Sequence, residues 1–145
     1  MPVIPFRAHR IWLAATCVAA LPGLAAAGDF DGSRPLICAA LNLFSCTSAD
    51  GCQKETPDSL NAPQFLDIDF GQKVINAPRP TGETKTTPID AVRQFEDRIV
   101  LNGAQGELNW TLAIAQASGK MVLNAAKTDP DEPLGITIFG ACTVR

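Results

Sequence analysis

The chain contains no tyrosine, and its single histidine, His9, falls within the first 27 residues, a stretch that reads as a removable leader. With no histidine in the remainder, a Ser-His-Asp or Cys-His nucleophile system and a histidine-ligated metal centre are excluded there. Basic residues are scarce too. In Gly28–Arg145, ten lysines and arginines stand against fifteen acidic residues, a net charge of −5. That balance excludes a basic nucleic-acid face. There is no Cys-x-x-Cys redox motif, no repeat of fixed period and no long low-complexity run. These absences remove function classes and name none.

The N-terminus points to export. Arg7 and Arg10 form a positive region, Ile11–Leu24 is uncharged and mostly apolar, and Ala25-Ala26-Ala27 supplies small residues for a signal peptidase. Cleavage is expected after Ala27, which leaves Gly28–Arg145 as one domain of 118 residues. The rival is an uncleaved anchor, because the uncharged run Ile11–Gly28 is 18 residues, the lower edge of a spanning helix. Pro22-Gly23 ahead of the alanines favours cleavage. Cys17 lacks the leucine and small neighbour of a lipoprotein site. The expected location is periplasmic or secreted, with no membrane span once the leader is removed.

Four cysteines remain: Cys38, Cys46, Cys52 and Cys142. In an oxidising compartment an even count reads as two disulfides, with three pairings possible. Cys46 and Cys52 flank the turn sequence Thr-Ser-Ala-Asp-Gly, so they are expected to pair, leaving Cys38 for Cys142. Their spacings do not match the paired short hooks of a zinc site.

Periodicity points to a mainly β fold. Leu108, Trp110, Leu112 and Ile114 alternate with more polar or smaller residues and give the clearest strand. Similar runs contain Leu66, Ile68 and Phe70; Ile89 to Phe95; Ile99 and Leu101; Met121, Leu123 and Ala125; and Leu134 to Cys142. Turn chemistry separates them, with Gly119 suited to a left-handed hairpin position. Pro78–Pro88 reads as a long surface loop. Leu36, Ile37, Ala40, Leu41 and Phe44 fall at helical spacing, with Ser33 as cap and Pro35 in the first turn. This predicts a short N-terminal helix, although the same residues also suit a strand. Seven to nine strands at hairpin spacing predict an antiparallel meander closing into a small barrel, lipocalin-like or lysozyme-inhibitor-like, with the helix over one mouth. A β-sandwich is the alternative.

Leu36-Ile37-Cys38, the Cys46–Cys52 turn, Asn61–Phe70, Thr87-Pro88-Ile89, Arg98–Gly103, Trp110–Met121 and the terminal Phe139-Gly-Ala-Cys-Thr143 resemble a family of small exported proteins of Gram-negative bacteria. The Phe-Gly-Ala-Cys ending is the most specific part. The resemblance implies export and a cysteine-bridged β fold; it implies no activity and carries over no catalytic residue. The architecture is also similar to that of periplasmic lysozyme inhibitors of the C-type class, but their inhibitory loop signature is missing.

Four groups of residues invite a chemical reading. Asp67 and Asp69 sit two apart on one strand face, about 7 Å from each other by strand geometry, a separation that inverting glycosidases use. They lie opposite the apolar face, and a solvated strand exterior is the expectation. Asp129, Asp131 and Glu132 cluster in a Pro-bounded loop that could offer oxygen ligands to calcium, yet the full calcium-loop pattern is absent. Trp110, the one tryptophan after the leader, is expected in the core and is the candidate wall of a ligand cavity. Phe65, beside Pro63, is expected to pack under the N-terminal helix, with a contact surface as the alternative. Asn109-Trp110-Thr111 matches a glycosylation sequon by coincidence in an exported bacterial protein. The expectation is a monomeric, non-enzymatic binding module without cofactor or metal, taking a partner protein or a small apolar ligand. An envelope-assembly accessory is the first alternative and a carboxylate-dependent hydrolase the second.

Overall fold

The computed structural model describes residues 29–145; the expected leader, its cleavage after Ala27 and Cys17 lie outside the described residues. Ten strands follow in order: β1 (Leu36–Thr47), β2 (Gly51–Glu55), β3 (Phe65–Asp69), β4 (Val74–Pro78), β5 (Thr84–Pro88), β6 (Ala91–Gln94), β7 (Arg98–Gln105), β8 (Leu108–Ala115), β9 (Lys120–Lys127) and β10 (Leu134–Val144). They form one antiparallel sheet, ordered β5-β4-β3-β1-β10-β9-β8-β7-β6, with β2 added to the far half of β1. The sheet curls into a half-barrel.

The two ends of that order are neighbours in sequence. β5 pairs with β4, and three residues later β6 pairs with β7. Between them the Ile89 amide donates to the Lys73 carbonyl (2.8 Å), and the Asp90 amide donates to the Asn102 carbonyl (2.9 Å). The stretch from Thr84 to Gln94 therefore serves both edges, which limits the backbone left open for edge-to-edge pairing. Here the structure corrects the expected Pro78–Pro88 loop. Only the tight turn between Pro78 and Thr84 is a connection, and its far side is a Thr-rich strand. β-branched threonines suit a pleated backbone, and the two prolines stand at strand ends, where a missing N–H costs least.

The predicted N-terminal helix is not formed; the residues assigned to it belong to β1. The cause is a bulge. Ala40 faces Gly140 and Asn42 faces Phe139, so Leu41 is an extra residue with no partner on β10. Before it, Leu36 and Cys38 point inward; after it, Leu43 does. The slip breaks the two-residue period and creates a false helical one. A short irregular segment ahead of β1, not a helix, closes this end of the sheet. Phe30 packs on the core there, and a Cβ on Gly119 would lie 2.6 Å from its ring. With φ of +66° as well, that position favours glycine.

The core is the inner face of the sheet. Leu36, Ile68, Ile99, Leu101, Leu112 and Ile114 are fully enclosed, each such side chain contributing about 1.5–3 kcal/mol. Both disulfides form as expected. Cys38–Cys142 joins directly opposed residues of β1 and β10 inside the core, and Cys46–Cys52 joins opposed residues of β1 and β2. Their sequence separations, 104 and 6 residues, give them unequal weight. Replacing Cys38 and Cys142 together by alanine is expected to cost about 4–5 kcal/mol in a denaturant melt, and replacing Cys46 and Cys52 roughly 2 kcal/mol. Equal losses would show that the native sheet, not the unfolded chain, decides their effect.

Candidate functional site

The inward side chains change size along the half-barrel. At the end near Phe30 they interlock. Toward the other end, the row across β7, β8, β9 and β10 is Gly103, Trp110, Ala125 and Ile136. Glycine on one side and alanine on the other leave room for one large ring and for open space beside it. A Cβ on Gly103 would lie 2.6 Å from both the indole and the Pro88 carbonyl, so the glycine seats Trp110. The result is a cavity of about 310 Å³, at the small end of the range for ligand pockets. Leu66, Ile75 and Ala77 form one wall, and Leu123, Ile136 and Ile138 the other. The β2–β3 connection covers the mouth with Leu60, Asn61, Ala62 and Pro63.

The polar atoms of this lining are unusual. Buried polar atoms in folded proteins are nearly always hydrogen-bonded. Among the described residues, four enclosed side-chain polar atoms have no partner, and three belong to cavity residues: Asn61 Oδ1, Arg79 Nε and Trp110 Nε1. Trp110 is only 8% exposed. Arg79 is placed by the β4–β5 turn, where its amide donates to the Glu83 carbonyl (2.8 Å) and its carbonyl accepts from Gly82 (2.9 Å). Asn61 adopts a left-handed backbone, φ 45°, which asparagine tolerates better than most residues.

The covering connection is tied down by one carboxylate. Glu55 accepts hydrogen bonds from the hydroxyls of Ser59 (2.7 Å) and Ser45 (2.8 Å), which hold its carboxyl below the usual carboxylate range. Ser59 and Thr56 also exchange side-chain to backbone bonds, and the Ala62 amide donates to the Pro57 carbonyl.

Of the residues singled out from sequence for a chemical role, Trp110 and Pro63 reach this cavity, and Trp110 is both core and wall. Asp67 and Asp69 are occupied separately: Asp67 pairs with Arg145, and Asp69 accepts from the Gln72 amide (2.8 Å) in the β3–β4 turn. Asp129 caps its own loop by accepting from the amides of Asp131 (3.0 Å) and Glu132 (3.3 Å), and it pairs with Lys127 (3.2 Å). These contacts, the Asp131 amide first, lower its pKa. Among the described residues no three histidine, cysteine or acidic side chains are grouped to hold a metal ion. Phe65 has no helix to pack under; it is 48% exposed on the outer face of β3, beside Ala39. Arg79 and Asn61 went unnoticed in the sequence. Pro78-Arg79-Pro80 is a signal only in hindsight, as an isolated cation pinned between two prolines.

Because the Glu55 carboxyl is depressed, the tie is complete above the ordinary value of 4.5 and is lost as pH falls through the lower folded value. Amides of residues 56–63 are expected to exchange faster below that pH. Glu55→Ala should speed them at neutral pH as well. Unchanged exchange in both cases would mean that the connection is held by its own backbone turns.

Compared with known proteins, the chain matches no family model and no curated sequence.

Proposed function

We propose that the protein is an exported, non-enzymatic module that binds a small apolar ligand inside the half-barrel. One observation carries this reading: an apolar cavity into which no strand or helix of the described residues packs, with unpartnered polar atoms on its lining residues. Side chains that only served stability would fill the space, since an unfilled core loses contact energy in proportion to its volume. Export is supported by the sequence of the leader and by two disulfides, and no helix of the described residues is long and apolar enough to cross a membrane. A cavity at the open end of a curled sheet, lined by apolar groups with a few polar ones, is a common form of small-molecule site.

A partner protein is the second reading, and a different surface favours it. Leu41 is 66% exposed and Phe139 44%, on the outer face of the sheet. Phe139 meets Phe44 edge to face at 6.1 Å and lies beside Val122.

Trp110 reports on the first reading directly. Titration with a small apolar dye is expected to shift indole emission and to saturate at one dye per chain. Ala125→Phe, which fills the space next to Trp110, should abolish the response while preserving the thermal midpoint. An indole that ignores every apolar probe would defeat the interior-site reading and leave the outer face as the stronger candidate.

A further inference from the structure

We infer that the interior ligand is a single-headed apolar anion, an unbranched carboxylate of about ten carbons, whose head is held by Arg79. The inference rests on the interior-site reading and adds the chemical class of the occupant.

The charge of the lining is the first argument. The protein is acidic, yet the cavity lining contains one cation, Arg79, and no aspartate or glutamate. Glu83, the one acidic residue of the β4–β5 hairpin, pairs with Lys85 (3.6 Å) and not with Arg79. Among the described residues no carboxylate neutralises Arg79. Arg79 is half-buried, but its Nε is enclosed and has no acceptor within the protein, and an anionic guest supplies one.

Donor geometry is the second argument. Guanidinium nitrogens form a planar fork that matches a carboxylate with two parallel hydrogen bonds. The Trp110 indole adds a neutral donor on the same lining. The Asn61 amide nitrogen can donate to the same head, whereas its enclosed Oδ1, an acceptor, gains nothing from a carboxylate.

Size is the third. At about 30 Å³ for a water-sized group, a cavity of about 310 Å³ has room for about ten such groups. Apart from Thr87 and Gln105 the remaining lining is largely aliphatic and carries no second charge, so a tail with a charged far end would lose its hydration there without replacement.

The test measures binding of the oxidised protein to octanoate, decanoate and tetradecanoate, and to decanol and decylamine, by calorimetry or Trp110 emission. Decanoate is expected to bind about fourfold tighter per added methylene than octanoate, with no further gain at tetradecanoate. Decanol should bind on the order of ten- to a hundred-fold more weakly than decanoate, and decylamine more weakly still. Arg79→Met should remove the preference for decanoate over decanol, and Arg79→Lys should restore part of it. Decanol binding as tightly as decanoate to the unmodified protein would overturn the headgroup assignment while leaving the interior site intact. Failure of all five probes to bind would overturn both. The comparison of head groups uses the native chain alone, so the conclusion stands even if Arg79→Met does not fold.

Discussion

The bulge at Leu41 is the constraint on which the rest of the sheet depends. β1 is a central strand with β10 along one edge, and its other edge changes partner from β3 to β2 at the bulge. The extra residue reverses which side chains face inward. Without it, the positions beyond Leu41 would present Asn42 and Phe44 to the core instead of Leu43. Opposite the bulge stands Gly140, where a Cβ would collide with the Ala39 carbonyl and with Met121. The glycine in the Phe-Gly-Ala-Cys ending is thus required by a residue almost a hundred positions earlier. Close approach there brings the first and last strands into register for the Cys38–Cys142 bridge.

A gradient of side-chain size then divides the interior into two halves with different roles. Near Phe30 and Phe70, the inward rows are isoleucine, leucine and methionine, and they interlock. Near Trp110 they become glycine, alanine and threonine, and the sheet walls no longer meet. Among the described residues, three of the four enclosed, unpartnered side-chain polar atoms sit at that open end, delivered by two connections and one strand.

Much of this was legible in the sequence. Alternation in Leu108–Ala115 and Leu134–Ile138 marks strands because β-branched or bulky residues recur there at every second position. The disulfide pairing follows from the turn between Cys46 and Cys52 and from the count of four. Two elements were hidden for physical reasons. The bulge disguised β1 as a helix, because one inserted residue changes the apparent period from two toward three or four. The β5 strand was hidden by composition: threonine and lysine between prolines resemble a loop until a neighbouring strand supplies the ladder. The candidate site was legible only through Trp110 and Pro63. Arg79 and Asn61 sit in connections, and whether such residues are enclosed depends on how far the sheet curls, a long-range property with no local pattern.

The longer bridge also orders events during biogenesis. Cys142 is the fourth residue from the C-terminus, and its partner lies at the start of the first strand. The covalent ring that holds the first strand against the last is sealed only once β10 is in place beside β1. Cys46–Cys52, by contrast, is completed by a short stretch near the beginning and needs none of the later strands. The small loop can therefore close without the later strands, and the large one only with β10 in place beside β1.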